Sequence, residues 1–518
     1  MRRASLAAIF AIATIATAAY SASAQDAAQT GAETRSGGSI AVTLLDPVPD
    51  LLSGSAVTTN YNTLATAGRP VQGVGADGVT ELVLRWPATA VGLQYAVTLF
   101  NDQGKQSNSP NNDGALTSIG STSFTKSKLA VVSVNTSAGP MAFALYRAPI
   151  DFPRPGGHDS GSTSRTVSIK VQQSTNSSTT TVSILRAPVI LVHGLWGEPA
   201  DWDSFTPFIN DTRFEEFRAD YSAAIGSELT SYTPSYPTGD QATIQALATA
   251  ASLGFSYNAP TVLDEMASAI TEFDDGTNPA GIPVAGVQMD LVGHSMGGDV
   301  SRWLAQESSF LSDDTFAQGS IHKAITIGTP HLGTPLAIDM LNDDNSCVRT
   351  TLALDGDITF DTAVVGGTST TGAMNDLQGD GFGGSLSGAL TTLSEASPHP
   401  LPFAMVYGLV SQSQLNGLNT SFDAFLLRLL CFGDPLAGSL TSTGWPQVFG
   451  QSSDAIVPEI SEVNSLSNGV QINGVVHSTA IFVLGFGPPA ELQQASGIPT
   501  AVVNLLNTPV TSSTYDHF

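Results

Sequence analysis

Apolar and polar residues alternate in short runs over residues 80–86, 95–100, 129–134 and 141–146, each run bounded by turn residues. That period marks half-buried strands. The same period recurs at Val167, Ile169 and Val171, facing Val182 and Ile184 across a polar turn at residues 173–179. Alternation on both sides makes this Ser/Thr-rich tract a hairpin loop rather than a linker. Strands at such close spacing predict an all-β, sandwich-like region over residues 40–186. From residue 187 the pattern changes. Residues 189–192 are apolar throughout, residues 261–273 carry Val262, Met266, Ala269 and Ile270 at helical spacing, and further apolar strands follow at 287–292, 324–327 and 403–407. Strands alternating with helices predict an α/β fold with a mostly parallel sheet covered on both faces, over residues 187–518.

The chain ends and the composition narrow this picture. Arg2 and Arg3, an apolar stretch at residues 6–19 and Ala22-Ser23-Ala24 have the form of a secretory leader cleaved after Ala24. The apolar stretch falls short of the roughly 20 residues of a spanning helix, and no later stretch reaches that length, so a secreted or periplasmic product without a transmembrane segment is expected. Residues 25–39 are small and polar and are expected to be disordered. Loss of the two arginines leaves 17 basic residues against 45 acidic ones, a net charge of −28. Such a surface repels nucleic acid and anionic lipid but not a neutral lipid surface. Roughly 490 mature residues exceed one ordinary domain, in keeping with the two regions above. Cys347 and Cys431, the two cysteines, are expected to form a disulfide in an oxidising compartment. The bond would close a loop of about 84 residues, worth about 4 kcal/mol in the chain-entropy model.

The chemistry-bearing stretch is residues 284–299, VAGVQMDLVGHSMGGD. An apolar strand runs into Gly293-His294-Ser295-Met296-Gly297, and an apolar-periodic stretch follows through Val300, Trp303 and Leu304. This strand, glycine-flanked serine and helix form the context that makes G-x-S-x-G a nucleophile turn. Ser295 stands at its tip, and the Met296 N–H at the helix start points at a developing oxyanion. The Leu195 N–H, after His193-Gly194, is the expected second donor. Two other glycine patterns are set aside. GVGADG at residues 73–78 lacks the strand and helix of a dinucleotide site, and GDGFGG at 379–384 lacks the repeat of a calcium solenoid.

A serine hydroxyl needs a base, and the base needs an acid that fixes its tautomer. In this topology they follow the serine in the order Asp, His, on loops at the carboxyl ends of strands. Among the histidines after Ser295, His322 begins a strand at the wrong end, His331 lies in a PHLGTP turn, His399 sits between prolines and His517 is next to the end. His477, in GVVHS, is the favoured base. Asp454, in SSDAIVP, is the favoured acid, with Asp434 in reserve.

Taken together and in order, VILVHGLWG, DLVGHSMGGDVSRWLA, AITIGTPHLGTPLA, AMNDL, SSDAIVP and VVHSTAI resemble the α/β-hydrolase lipases and esterases, in particular the bacterial and inositol-deacylase-like branch. The resemblance covers residues 187–510. It implies the α/β-hydrolase fold, a Ser295, Asp454, His477 triad, an oxyanion hole of Leu195 and Met296, and hydrolysis of carboxylic esters through an acyl-enzyme; no cofactor and no metal are expected. Two departures stand out: Ala455 occupies a usual glycine position, and some 40 residues separate the 403–407 strand from Asp454. The insertions at about 339–400 and 411–449 each hold one cysteine. Phe422, Phe425, Leu426, Leu429 and Leu430 form an apolar helical face that either packs on the core or forms a lid and acyl wall over Ser295. A structural calcium near Asp343 and Asp344 has no ligand spacing in its favour. The expected partner is a lipid or other ester. The alternatives are acyl transfer by the same residues, or a surface-binding protein with a degenerate hydrolase region.

Overall fold

The computed structural model describes residues 40–195, 197–223, 253–341, 372–380, 384–395, 399–411, 413–414, 452–464, 466, 468–478 and 488–517. The expected leader and polar segment, Cys347, Cys431 and their pairing, Asp343, Asp344, Asp434, the 422–430 helix and most of both insertions lie outside these residues.

Residues 40–185 are strand-rich, as their alternation predicts. One sheet holds β1 (Thr43–Asp46), β2 (Arg69–Pro70), β4 (Glu81–Pro87), β6 (Ala115–Thr117), β8 (Val134–Thr136) and β9 (Gly139–Arg147). A second holds β3 (Gly73–Gly75), β5 (Gln94–Phe100), β7 (Lys128–Val132), β10 (Ser164–Gln173) and β11 (Asn176–Leu185). Leu82, Leu84, Trp86 and Tyr146 of the first share one buried cluster with Val97, Leu99, Val167, Ile169, Val171, Val182 and Ile184 of the second. The period-2 positions therefore point into common apolar space, at roughly 25 cal/mol for each Å² removed from water. In the β10–β11 hairpin Val167 pairs with Val182, as expected, but the ladder continues to Gln173 and Asn176. The turn is shorter than the sequence reading because the Thr-rich run 179–181 is itself strand, where β-branched side chains fit.

The following region is a parallel sheet. Its strands are β12 (Val189–Val192), β13 (Glu216–Ala219), β15 (Met289–His294), β16 (Ile321–Ile327), β17 (Pro402–Leu409) and β18 (Val470–Asn473), in spatial order β13-β12-β15-β16-β17-β18. The short strand β19 (Asp516–His517) pairs antiparallel with β17. Both faces are covered, which explains the uninterrupted apolar runs. Ile190, Val192, Met289, Leu291 and Met405 pack with the helices Phe255–Asp274 and Met296–Leu304. Val189, Leu191, Val292, Ile327 and Val406 pack on the other side with Trp202, Phe205, Phe208 and the helix Ile498–Leu506.

The two regions are joined more closely than a linker would join them. Val284–Ala285, just upstream of β15, form β14, which pairs in parallel with β3 and becomes an edge of the second N-terminal sheet. Here the discounted GVG run finds its use: a Cβ on Gly73 would lie 2.6 Å from the carbonyl oxygen of Ser183 in β11, on the other side of β3 from β14, so only glycine lets β3 and β11 approach. Arg69 crosses the junction, donating to Asp46 Oδ2 at 2.7 Å, to the Val284 carbonyl at 2.7 Å and to the Asp274 carbonyl at 3.0 Å. At the amino ends of β15 and β16, His322 Nδ1 meets Asp290 Oδ1 at 2.6 Å and its Nε2 meets the Ile150 carbonyl at 2.8 Å. Lys323, fully buried, donates to Asp151 Oδ1 at 2.8 Å. The strand-rich region thus meets the amino ends of the parallel strands, opposite the carboxyl ends where Ser295 stands.

Candidate active site

The strand β15 ends at His294, the helix Met296–Leu304 begins one residue beyond Ser295, and Ser295 itself has φ 54° and ψ −131°. A non-glycine residue in that region is strained, and such strain persists only where the surroundings impose it. Here they do. The Ser295 N–H donates to the Ile327 carbonyl at 2.8 Å, and the Gly298 N–H donates back to the Ser295 carbonyl at 3.0 Å. The glycines are steric requirements of the turn. A Cβ on Gly293 would lie 2.8 Å from the Gly298 backbone, and one on Gly297 would fall on the carbonyl oxygens of Val192 and His193.

Asp454 reaches the same place despite the long insertion. The chain leaves the sheet after β17 at Val410 and returns at Ser453, which bridges back to Val410. Asp454 is fully buried, and its Oδ1 accepts from the N–H groups of Ile456 at 2.8 Å and Val457 at 2.7 Å. Ala455, in the position where the resembling family carries glycine, has φ 85°. The backbone there is left-handed, as glycine would favour, and the chain accommodates alanine in it. His477 follows β18, and its N–H donates to the Asp454 carbonyl at 3.0 Å.

The side chains of the three predicted residues meet. His477 Nδ1 lies 2.5 Å from Asp454 Oδ2, and His477 Nε2 lies 2.8 Å from Ser295 Oγ. A carboxylate accepting at Nδ1 fixes the tautomer whose Nε2 is free to accept from the serine. Burial disfavours the His477 imidazolium, but the Asp454 charge, its hydrogen bond and then Glu491 outweigh that and raise its pKa to about 9.

Leu195 and Met296 border the serine. A Cβ on Gly194 would stand 2.8 Å from Ser295 Cβ and 3.4 Å from its Oγ, so the 194–195 backbone passes against the hydroxyl. Among the described residues neither the Leu195 nor the Met296 N–H has an acceptor. His193 holds this loop: its Nδ1 lies 3.0 Å from the Gly194 carbonyl, its Nε2 accepts from the Tyr221 N–H at 3.3 Å, and the two rings stack at 3.9 Å. The other histidine candidates weighed as the base lie elsewhere. His322 is at the amino end of β16, His331 is buried against Thr326 and Arg302, and His517 is in β19.

Three further groups stand at the site, His294 within the nucleophile motif and Glu491 and Glu462 outside any motif. His294 stacks on His477 with ring centroids 5.0 Å apart, and burial, then the charge of His477, lower its pKa to about 3. Glu491 is fully buried, with Oε2 3.4 Å from His477 Nδ1. Glu462 is buried too, and burial together with the Asp454 and Glu491 charges pushes its carboxyl well above the usual range. Ligating atoms of His294, His477 and Glu491, and likewise of Asp454, Glu462 and Glu491, lie within 4.8 Å of one another. An ion there would take the atoms that the His477 contacts already use, and neither group is assigned as a metal site.

Residues 284–378 match the family described as a PGAP1-like alpha/beta domain. No curated protein sequence matches it. Among solved structures it is similar to a Bacillus licheniformis lipase in its mature form, at 14% identity over 62% of this chain and 92% of that one, with a TM-score of 0.33. It is also similar to an extracellular alpha/beta-hydrolase from a Paenibacillus species, at 11% identity over 63% of this chain and 100% of that one, with a TM-score of 0.27. A gene product of Listeria innocua matches at 16% identity over 58% of this chain and 89% of that one, with a TM-score of 0.26.

Proposed function

We propose that this protein is an exported serine hydrolase that cleaves carboxylic esters with acyl-chain substrates. The observation that carries the reading is the continuous Ser295, His477, Asp454 hydrogen-bond chain, at 2.8 and 2.5 Å, at the carboxyl end of the parallel sheet. In this reading Ser295 Oγ attacks the ester carbonyl carbon while its proton passes to His477 Nε2. Asp454 holds the ring and stabilises the imidazolium. The tetrahedral oxyanion takes hydrogen bonds from the Leu195 and Met296 N–H groups. His477 returns the proton to the departing alcohol, leaving an acyl group on Ser295. Water, deprotonated by the same nitrogen, then releases the acid. We read the strand-rich region as a β-sandwich that supports the sheet from its far end, and the leader at residues 1–24 as the export signal.

Hydrolysis of p-nitrophenyl esters of increasing chain length tests the assignment. The expected result is turnover that favours longer acyl chains and increases with pH, because His477 acts as a base only when neutral and its pKa is raised to about 9. Absence of turnover at every length between about pH 6 and 10 would sink it.

The position of Gly194 gives a second expectation. In Gly194→Ala the new methyl would stand 2.8 Å from Ser295 Cβ, so the loop must move and carry the Leu195 N–H with it. Loss of one oxyanion donor lowers kcat by roughly 10²-fold and leaves KM nearly unchanged. A rise in KM at constant kcat would assign this loop to substrate binding instead.

A further inference from the structure

The Nδ1 of His477 is faced by two carboxylates, of which the proposed reaction uses one. Asp454 Oδ2 lies at 2.5 Å, and Glu491 Oε2 at 3.4 Å. Glu491 is placed by its own supports. Its Oε1 accepts from the Gly408 N–H at 2.8 Å, and its N–H donates to the carbonyl of Val476, beside His477, at 3.0 Å. Room for it comes from Gly328, at φ 54°, where a Cβ would stand 2.7 Å from Glu491 Cδ. Its Oε2 has no hydrogen-bond partner among the described residues, although His294 Nε2, also without one, lies 3.2 Å away. A fully buried carboxylate with an idle oxygen is costly to keep unless the charge has a use.

We propose that Glu491 is a positioning residue for His477, a second carboxylate that faces His477 Nδ1 and His294 Nε2, orienting and charging the imidazole alongside Asp454. This rests on reading Ser295 as the nucleophile and His477 as its base. The ionisable groups around Glu491 are His477 and His294, stacked on each other, with Asp454 and Glu462; Asp201 acts on His294 from beyond. Burial, with the Asp454 charge, raises the Glu491 carboxyl to about 8 against the pull of the His477 charge and the Gly408 hydrogen bond, so Glu491 is ionised in the range where His477, raised to about 9, gives up its proton. A negative charge there favours the imidazolium. Its removal lets His477 stay neutral to lower pH, at the expense of basicity.

The test is the rate at which a fluorophosphonate probe labels Ser295 in the full-length protein, followed by intact mass across pH. This readout needs the base but no particular ester. In Glu491→Gln, whose amide oxygen still accepts from Gly408, the acid limb is expected to move down by about one pH unit. Asp454→Asn tests the same idea by a second route: labelling should persist, and adding Glu491→Gln should slow it by roughly a further tenfold or more. An unmoved limb, or a double variant labelled as fast as Asp454→Asn alone, would overturn the inference. Wild-type protein left unlabelled at Ser295 would overturn the nucleophile reading itself, and this inference with it.

Discussion

Ser295→Ala lowers ester hydrolysis by on the order of 10⁶-fold and leaves the unfolding midpoint close to that of the wild type. The size of the loss follows from the proposed chemistry, because no acyl-enzyme forms without Oγ, and His477 and the oxyanion donors are left with only background hydrolysis to assist. The stability expectation follows from the contacts. Among the described residues the side-chain oxygen makes one hydrogen bond, to His477 Nε2, whereas the strained turn is held by backbone bonds to Ile327 and from Gly298, and alanine keeps the Cβ. kcat/KM and urea denaturation of the same preparation check both halves. Residual turnover within about tenfold of wild type would remove Ser295 from the mechanism, since loss of a triad serine costs far more.

Asp151→Ala unfolds at markedly lower denaturant, with a loss of about 3–5 kcal/mol. Asp151 lies in the strand-rich region, and its carboxylate takes the Lys323 ammonium at 2.8 Å and the Val510 N–H at 2.8 Å. Lys323 has 1% of its surface exposed, and among the described residues it also donates to the carbonyls of Leu506 at 3.5 Å and Thr508 at 3.2 Å and stands 5.6 Å from the centre of the Tyr515 ring. Burial opposes its charge, and the Asp151, Asp290 and Tyr515 charges together with the Asp151 hydrogen bond more than offset that, so its pKa lies above the ordinary value. Removal of Asp151 takes from a buried cation its one directly bonded carboxylate among the described residues, which costs more than the pair itself contributes. Lys323→Met in the Asp151→Ala background should therefore recover most of the loss. If the double variant is no more stable than Asp151→Ala, the damage lies in the lost Val510 bond and the packing.

Both expectations show what the sequence made legible. The nucleophile turn was readable because steric crowding permits few residues at its glycines, and the parallel strands because double-sided burial demands unbroken apolar runs. Asp454 could be found by order along the chain. Its attachment to the end of β17 could not, since the Val410 to Ser453 bridge spans an insertion whose length says nothing of where it closes. Glu491 was invisible: a carboxylate in PPAELQQ looks like any of the 45 acidic residues, and only the fold brings it to His477. The contact between the regions left a faint trace. His322 and Lys323 interrupt an otherwise apolar strand, IHKAITI, and charged residues in such a run ask for buried partners. β14 left none, because two residues of VA carry no period.

That two-residue strand sets an order in time. During synthesis the residues of β3 emerge some 200 positions before Val284 and Ala285, their partners at the sheet edge. Until the later pair arrives, Gly73–Gly75 is an open edge with unpaired amides, the kind of surface through which strands of different chains join. The strand-rich region is thus completed at this edge only when the chain is about to enter the nucleophile strand, so closing the one sheet waits on the start of the other.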